Sequence, residues 1–146
     1  MAITTAYTAM SYVVQVLVVE DFEPYRLFAK SSLAKKDGLQ VISEATDGLQ
    51  AVDKARELKP DLILLDIGLP KLNGIEAAKA ILAAAPECKI IFLTQETSPD
   101  VVREALKLGA YGYVVKSRAA TDLLPAVQSA LDGKRFISAG LAIHEL

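Results

Sequence analysis

Four apolar residues in succession, Leu62-Ile63-Leu64-Leu65, run directly into Asp66 and a loop that carries Gly68 and Pro70. A strand with one wet face alternates in polarity. A run with no polar break reads as a strand buried on both faces, the habit of parallel sheets covered by helices. Asp66 then stands at the strand's carboxyl end, where open α/β sheets place their ligand crevices. Taken alone it is equally a turn-starting Asp, a common residue where strands end. Its neighbours decide.

Val13 to Val19 is a first buried strand, and it ends abruptly in Glu20-Asp21. Pro24 suits the first position of a helix. Leu27, Phe28, Ser31 and Leu33-Ala34 predict that helix's inward face, and Asp37-Gly38 stops it. Leu39 to Ala45 alternates, as a strand nearer an edge does. Asp47 with Gln50 reads as a capping box, opening a helix that runs to about Leu58 and closes before Pro60. Asn73 with Glu76 caps an Ala-rich helix ending at Pro86. Lys89 to Leu93 is a fourth strand, terminated by Thr94. Ser98-Pro99-Asp100 starts a helix closed by Gly109. Tyr111 to Val115 is a fifth strand, terminated by Lys116. The last helix is expected to start near Thr121-Asp122, because Pro125 inside a helix removes a hydrogen bond. Strict alternation of five strands with helices predicts a parallel sheet, right-handed crossovers and helices on both faces. The expected organisation is an N-terminal extension over 1–12, one domain over 13–133, and a tail over 134–146 that serves as a docking segment or a linker.

The composition agrees with one compact domain. With 52% hydrophobic and 23% charged residues in 146, disorder is excluded. A net charge of -2 argues against a nucleic-acid surface, which needs clustered Lys and Arg. The single cysteine, Cys88, excludes an internal disulfide and suits a reducing cytoplasm; its place at a strand start makes it a core residue. No apolar run is long enough to cross a membrane, and the N-terminus lacks the pattern of a signal peptide, so a cytoplasmic location is expected. His144, in an unpatterned tail, is expected on the surface.

In a parallel sheet the strand ends share one edge, so Glu20-Asp21, Asp66, Thr94 and Lys116 converge. Clustered carboxylates raise one another's pKa unless a cation sits among them. Mg²⁺ suits that place, being held by one or two carboxylates, waters and a phosphate. A phosphoryl group on Asp66 offers oxygens that Mg²⁺, the Lys116 ammonium and the Thr94 hydroxyl can each take, the electrostatic arrangement phosphoryl transfer requires. Gly68 leaves the space over Asp66 accessible.

In these residues the chain resembles the receiver domains of two-component response regulators, over about Val13 to Gly133. The acidic pair, Asp66 followed by Leu69-Pro70 and Gly74, Thr94, Gly109-Ala110-Tyr111-Gly112-Tyr113 and Lys116 correspond in order. The resemblance is strongest to receivers that precede LuxR-type helix-turn-helix domains. It implies a flavodoxin-like doubly wound five-stranded sheet of order 2-1-3-4-5. It also implies that Asp66 accepts a phosphoryl group from a sensor histidine kinase, in a Mg²⁺-dependent reaction. By the same resemblance Asp21 is the direct metal ligand and Glu20 acts through a metal-bound water. Asp66 and the Gly68 carbonyl complete the metal site, and Lys116 pairs with the phosphoryl group. Thr94 and Tyr113 form the coupled switch, the ring turning inward as the hydroxyl moves toward phosphate, read out on the face around the fourth helix, fifth strand and fifth helix. Such a domain is no enzyme beyond catalysing its own phosphorylation and dephosphorylation, and it forms homodimers on phosphorylation. Three positions depart from the common pattern. Glu20 replaces an Asp, Ser117 stands where many receivers carry a cis Pro, and Gln95-Glu96 follows Thr94 where a small residue is usual. Glu96 and Gly68 are expected to set the dephosphorylation rate.

Other readings fit less well. An aspartyl-phosphate hydrolase also attacks with an Asp at a strand end, but it wants a second acid two residues later, where this chain has Gly68. A nucleotide or flavin module needs a Gly-rich loop after the first strand, where Glu20-Asp21-Phe22-Glu23-Pro24 repels phosphate. Downstream, the chain reads as the N-terminal part of a transcriptional regulator, or as a stand-alone regulator or phosphate shuttle.

Overall fold

A computed structural model describes residues 12–141; the expected extension, apart from Tyr12, and His144 lie outside them. The chain alternates β1 (Val14–Val19), α1 (Glu23–Leu33), β2 (Leu39–Ala45), α2 (Gly48–Leu58), β3 (Leu62–Leu65) and α3 (Gly74–Ala84). It continues with β4 (Lys89–Thr94), α4 (Pro99–Lys107), β5 (Gly112–Val115), a single 3-10 turn (Lys116–Arg118), α5 (Ala119–Leu131) and β6 (Phe136–Ile137). All pairings are parallel, and the order is β2-β1-β3-β4-β5-β6. The expected five-strand order therefore holds, with a short sixth strand added beside β5.

Successive side chains of a strand point to opposite faces, so each central strand feeds two cores. Leu17, Val19, Ile63, Leu65, Phe92 and Tyr113 face α2, α3 and α4. Val16, Val18, Leu62, Leu64, Ile91, Leu93 and Val114 face α1 and α5. β3 is buried at all four positions, which is why its sequence has no polar break. β2, at the margin, has only Ala45 fully buried, as its alternation predicts.

The caps at Asp47 and Asn73 form as expected: their side chains accept from Gln50 N–H at 2.8 Å and Glu76 N–H at 3.0 Å. Ser98 does not cap α4 with its side chain, and Pro99 alone opens that helix; the Ser98 N–H instead donates to Glu96 Oε1 at 3.0 Å. Two further expectations need correction. The inward face of α1 is Ala29, Ser32 and Leu33, while Leu27 and Phe28 are exposed at 53% and 37%. α1 packs against β1, β2 and α5 through Ala29, Ser32 and Leu33, so Leu27 and Phe28, on other faces of the helix, turn outward. α5 begins at Ala119 and runs through Pro125, two residues ahead of the expected start. The 3-10 turn leads straight into it, and Ala119 is buried in the core.

Gly74, the first residue of α3, explains how close that helix comes to the strand end. A Cβ there would lie 2.1 Å from the Asp66 carbonyl oxygen and 2.7 Å from Ile67 Cα. The Gly74 N–H also donates to the Ile67 carbonyl at 2.8 Å. Only glycine lets α3 clamp the loop that follows Asp66.

The tail is ordered further than its weak pattern suggests. Phe136 and Ile137 pair with Gly112 and Tyr113, and the Ser138 N–H donates to the Tyr113 carbonyl at 2.9 Å. Among the described residues no helix is long and apolar enough to cross a membrane.

Candidate functional site

The carboxyl ends of β1, β3, β4 and β5 open into a cleft of about 600 Å³, lined by Glu20, Asp21, Asp66, Gly68, Thr94 and Lys116 among others. All the residues singled out at strand ends therefore meet, and the order of the strands brings them there.

Lys116 is the hub. Its ammonium lies 2.7 Å from Glu20 Oε1 and 2.9 Å from Asp66 Oδ2, with all three side chains largely withdrawn from water. Burial alone would lower the Lys116 pKa, but the hydrogen bonds to Glu20 and Asp66 outweigh it and hold the group above its ordinary value. At Glu20 burial wins: it pushes the carboxyl up, although Lys116 and the Phe22 N–H both favour the charged form. The Phe22 N–H donates to Glu20 Oε2 at 3.0 Å, and Arg26 Nη1 donates to the Glu20 carbonyl at 3.0 Å. The end of β1 is thus tied to the first turn of α1.

Asp66 is buried, with the Gly68 N–H donating to its Oδ1 at 3.3 Å. Asp21 is exposed toward the cleft, and one carboxylate oxygen from each of Glu20, Asp21 and Asp66 falls within 4.8 Å of the others. Three hard oxygen donors so close together fit a divalent cation, since their mutual repulsion needs positive charge. A Cβ on Gly68 would touch nothing within 4 Å, so the side-chain position at 68 opens onto free space rather than a packed wall.

Thr94 is buried, and its Oγ1 accepts from the Glu96 N–H at 3.3 Å. Tyr113 is fully buried and donates its hydroxyl to the Glu96 carbonyl at 2.7 Å. Both residues therefore hold the β4–α4 loop through the backbone of Glu96, one at its N–H and the other at its carbonyl. The Tyr113 ring lies inward, against Phe92 at 6.1 Å between centroids. No cis peptide occurs among the described residues; Ser117 enters the 3-10 turn instead.

One residue that the strand-end logic misses also stands at the cleft. The Tyr25 ring lies under Lys116, with its centroid 4.2 Å from Nζ, and its hydroxyl accepts from Gln95 Nε2 at 3.2 Å. Tyr25 is a helix residue with no motif around it, and only the packing of α1 reveals it. Next to it lies an apolar groove lined by Pro24, Tyr25, Phe28, Leu93, Ala119 and Ala120, which reaches Lys116.

Residues 16–128 match the family model described as the response regulator receiver domain. The chain is 35% identical over 129 residues to the response regulator GacA of Pseudomonas viridiflava, covering 88% of this chain and 60% of that protein. It is 35% identical over 121 residues to the response regulator protein VraR of Staphylococcus epidermidis, covering 83% and 58% of the two. Among solved structures it is similar to a LuxR-family two-component response regulator from Aurantimonas sp., at a TM-score of 0.84 and 29% identity, covering 89% of this chain and 93% of that one. The chain spans about 60% of the length of the curated relatives it matches.

Proposed function

The chain belongs to the response regulator receiver family of two-component phosphorelays, and on that premise we propose that Asp66 is its phosphoacceptor. The observation that carries this is the ion-paired triangle of Glu20, Asp66 and Lys116 at the mouth of the cleft. An Asp66 oxygen attacks phosphorus, the bond from phosphorus to the donor breaks, and the donor leaves with the electron pair. Lys116, already 2.9 Å from Asp66, needs only a small shift to reach a phosphoryl oxygen. The Thr94 hydroxyl, freed from the Glu96 N–H, takes another. Asp21, Asp66 and the Gly68 carbonyl would hold Mg²⁺, with Glu20 acting through a water. When bound, Mg²⁺ neutralises charge shared by these carboxylates and the phosphoryl oxygens.

The switch then acts through one loop. Thr94 and Tyr113 both hold the backbone of Glu96, so a pull on Thr94 alters the support of the Tyr113 hydroxyl. Glu96 lines the cleft beside Gly68, which supports their expected part in setting the dephosphorylation rate. The chain is a signalling domain that catalyses only its own phosphorylation and dephosphorylation.

The donor is the phosphohistidine of a sensor kinase. Its proposed approach is over exposed Phe22 and Phe28 and the groove beside Lys116, with exposed Leu27 on the same helix. The likeness to a LuxR-family response regulator supports placing this receiver at the front of a transcriptional regulator; we take it to span 13–133, to act in the cytoplasm and to dimerise on phosphorylation, with residues from 134 leading to its output domain. Incubation with acetyl phosphate and Mg²⁺ tests the acceptor: one added phosphoryl mass is expected, and Asp66→Asn abolishes it. Absence of that adduct from the unaltered chain overturns the reading.

A further inference from the structure

Tyr25 is held by two side chains and by the anchored turn that carries it. Phe22 packs edge-on against its ring, with centroids 5.4 Å apart. The adjacent Arg26 anchors the turn to the Glu20 carbonyl at 3.0 Å and to Glu44 Oε1 at 3.1 Å. Gln95 Nε2 holds the phenol oxygen at 3.2 Å. The ring is therefore held in place, and the Lys116 ammonium rests over its face at 4.2 Å from the centroid. Glu20 and Asp66 take Lys116 from one side, and the π-face covers another, where an ammonium is attracted by the ring quadrupole. The Tyr25–Gln95 bond joins α1 to the β4–α4 loop across the cleft, between two elements that have no other side-chain hydrogen bond to each other among the described residues.

We propose that Tyr25 is a positioning residue that roofs the acceptor cleft: its ring orients Lys116 toward Asp66, and its hydroxyl, tied to Gln95, keeps water from the phosphoaspartate. The inference rests on the phosphoacceptor reading of Asp66. Hydrolysis needs a water oxygen to form a bond to phosphorus while the bond from phosphorus to the Asp66 oxygen breaks. The carboxylate leaves with the electron pair, and the water's proton goes to the released phosphate. A bridge spanning the mouth limits how that water enters. The ring and the hydroxyl thus act on opposite rates, phosphorylation and loss of the phosphoryl group.

The test compares Tyr25→Phe, Tyr25→Leu and Gln95→Ala with the unaltered chain, using acetyl phosphate and Mg²⁺ and following the adduct by mass. Tyr25→Phe and Gln95→Ala each shorten the phosphoaspartate half-life by about three- to tenfold, the scale of one hydrogen bond, and the pair together do no more than either alone. Tyr25→Leu slows phosphorylation about fivefold, while Tyr25→Phe retains more of that rate because it keeps the π-face. NMR adds a readout independent of phosphorylation: the Lys116 ε-methylene protons lie upfield under the ring, stay there in Tyr25→Phe and move downfield in Tyr25→Leu. Unchanged half-lives in Tyr25→Phe and Gln95→Ala overturn the roof, and unmoved Lys116 protons in Tyr25→Leu overturn the positioning. If the unaltered chain takes no phosphoryl group, the acceptor reading itself fails and the inference falls with it.

Discussion

The Ser138 hydroxyl donates a 2.7 Å hydrogen bond to Asp122, and both side chains are buried. The same oxygen accepts from the Val115 N–H at 3.2 Å, one residue before Lys116. The tail is therefore wired to the strand that carries the site. Ser138→Ala leaves the Val115 N–H and part of the Asp122 carboxylate without partners, at a cost of about 1–3 kcal/mol. Faster hydrogen exchange at the Val115 amide is the direct check.

The network also predicts a pH dependence. Burial works to raise the Asp122 carboxyl, but hydrogen bonds from Ser138, Arg118 and Thr121 outweigh it and hold the group below its ordinary value. A depressed carboxyl binds fewer protons folded than unfolded, so its stabilisation is full above the unfolded pKa, about 3.9 for Asp. It is lost as pH falls through the lower folded value. The stability gap between the unaltered chain and Ser138→Ala should be constant near neutrality and narrow below about pH 4, down to the part carried by the Val115 N–H, which does not titrate. Urea melts across that range would show a constant gap if the network carried no charge.

Lys116 holds apart two buried acids. Lys116→Met leaves Glu20 and Asp66 facing each other without a cation, and breaking a buried pair in this way costs about 3–5 kcal/mol. Mg²⁺ should restore stability to the variant more than it adds to the unaltered chain, because a bound ion stabilises the folded state. Equal Mg²⁺ effects on the two urea midpoints would count against a metal among these carboxylates.

Two glycines near Asp66 should behave oppositely. Gly74→Ala drives a Cβ into the Asp66 backbone carbonyl, which no side-chain rotation can move aside, and should cost about 2 kcal/mol or more. Gly68→Ala meets nothing and should stay within about 0.5 kcal/mol. Thermal melts of the two variants decide it.

Leu27→Ala removes mostly exposed apolar surface and should change stability by no more than about 0.5 kcal/mol, while Phe28→Ala, at a residue only 37% exposed, should cost about 1–2 kcal/mol. If this is the kinase face, they slow transfer from a phosphohistidine domain much more than labelling by acetyl phosphate. Equal effects on both donors would move the docking face elsewhere.

The sequence was most legible where one residue decides one local event. Asp47 and Asn73 cap as their spacing predicts, and Asp66, Thr94 and Lys116 close the strands that bring them together. It was least legible where packing chooses among candidates. α1 offers more apolar side chains than its inward face of Ala29, Ser32 and Leu33 uses, so Leu27 and Phe28 read as core and are not. Two-residue β6 is too short to show a period. Tyr25 meets Lys116 only through the fold, from 91 positions away in the chain by their numbers.

β6 bears on how these molecules tolerate crowding. A sheet's outermost strand exposes unpaired amides and carbonyls that can recruit another chain. Two residues of tail occupy the β5 side, too short a margin to template a foreign strand. On the opposite side β2 carries Gln40, Ser43 and Glu44, with Glu44 engaged by Lys30 at 2.7 Å and Arg26 at 3.1 Å. Among the described residues each border therefore carries a feature that weighs against edge-to-edge pairing, a very short strand on one side and polar and charged side chains on the other.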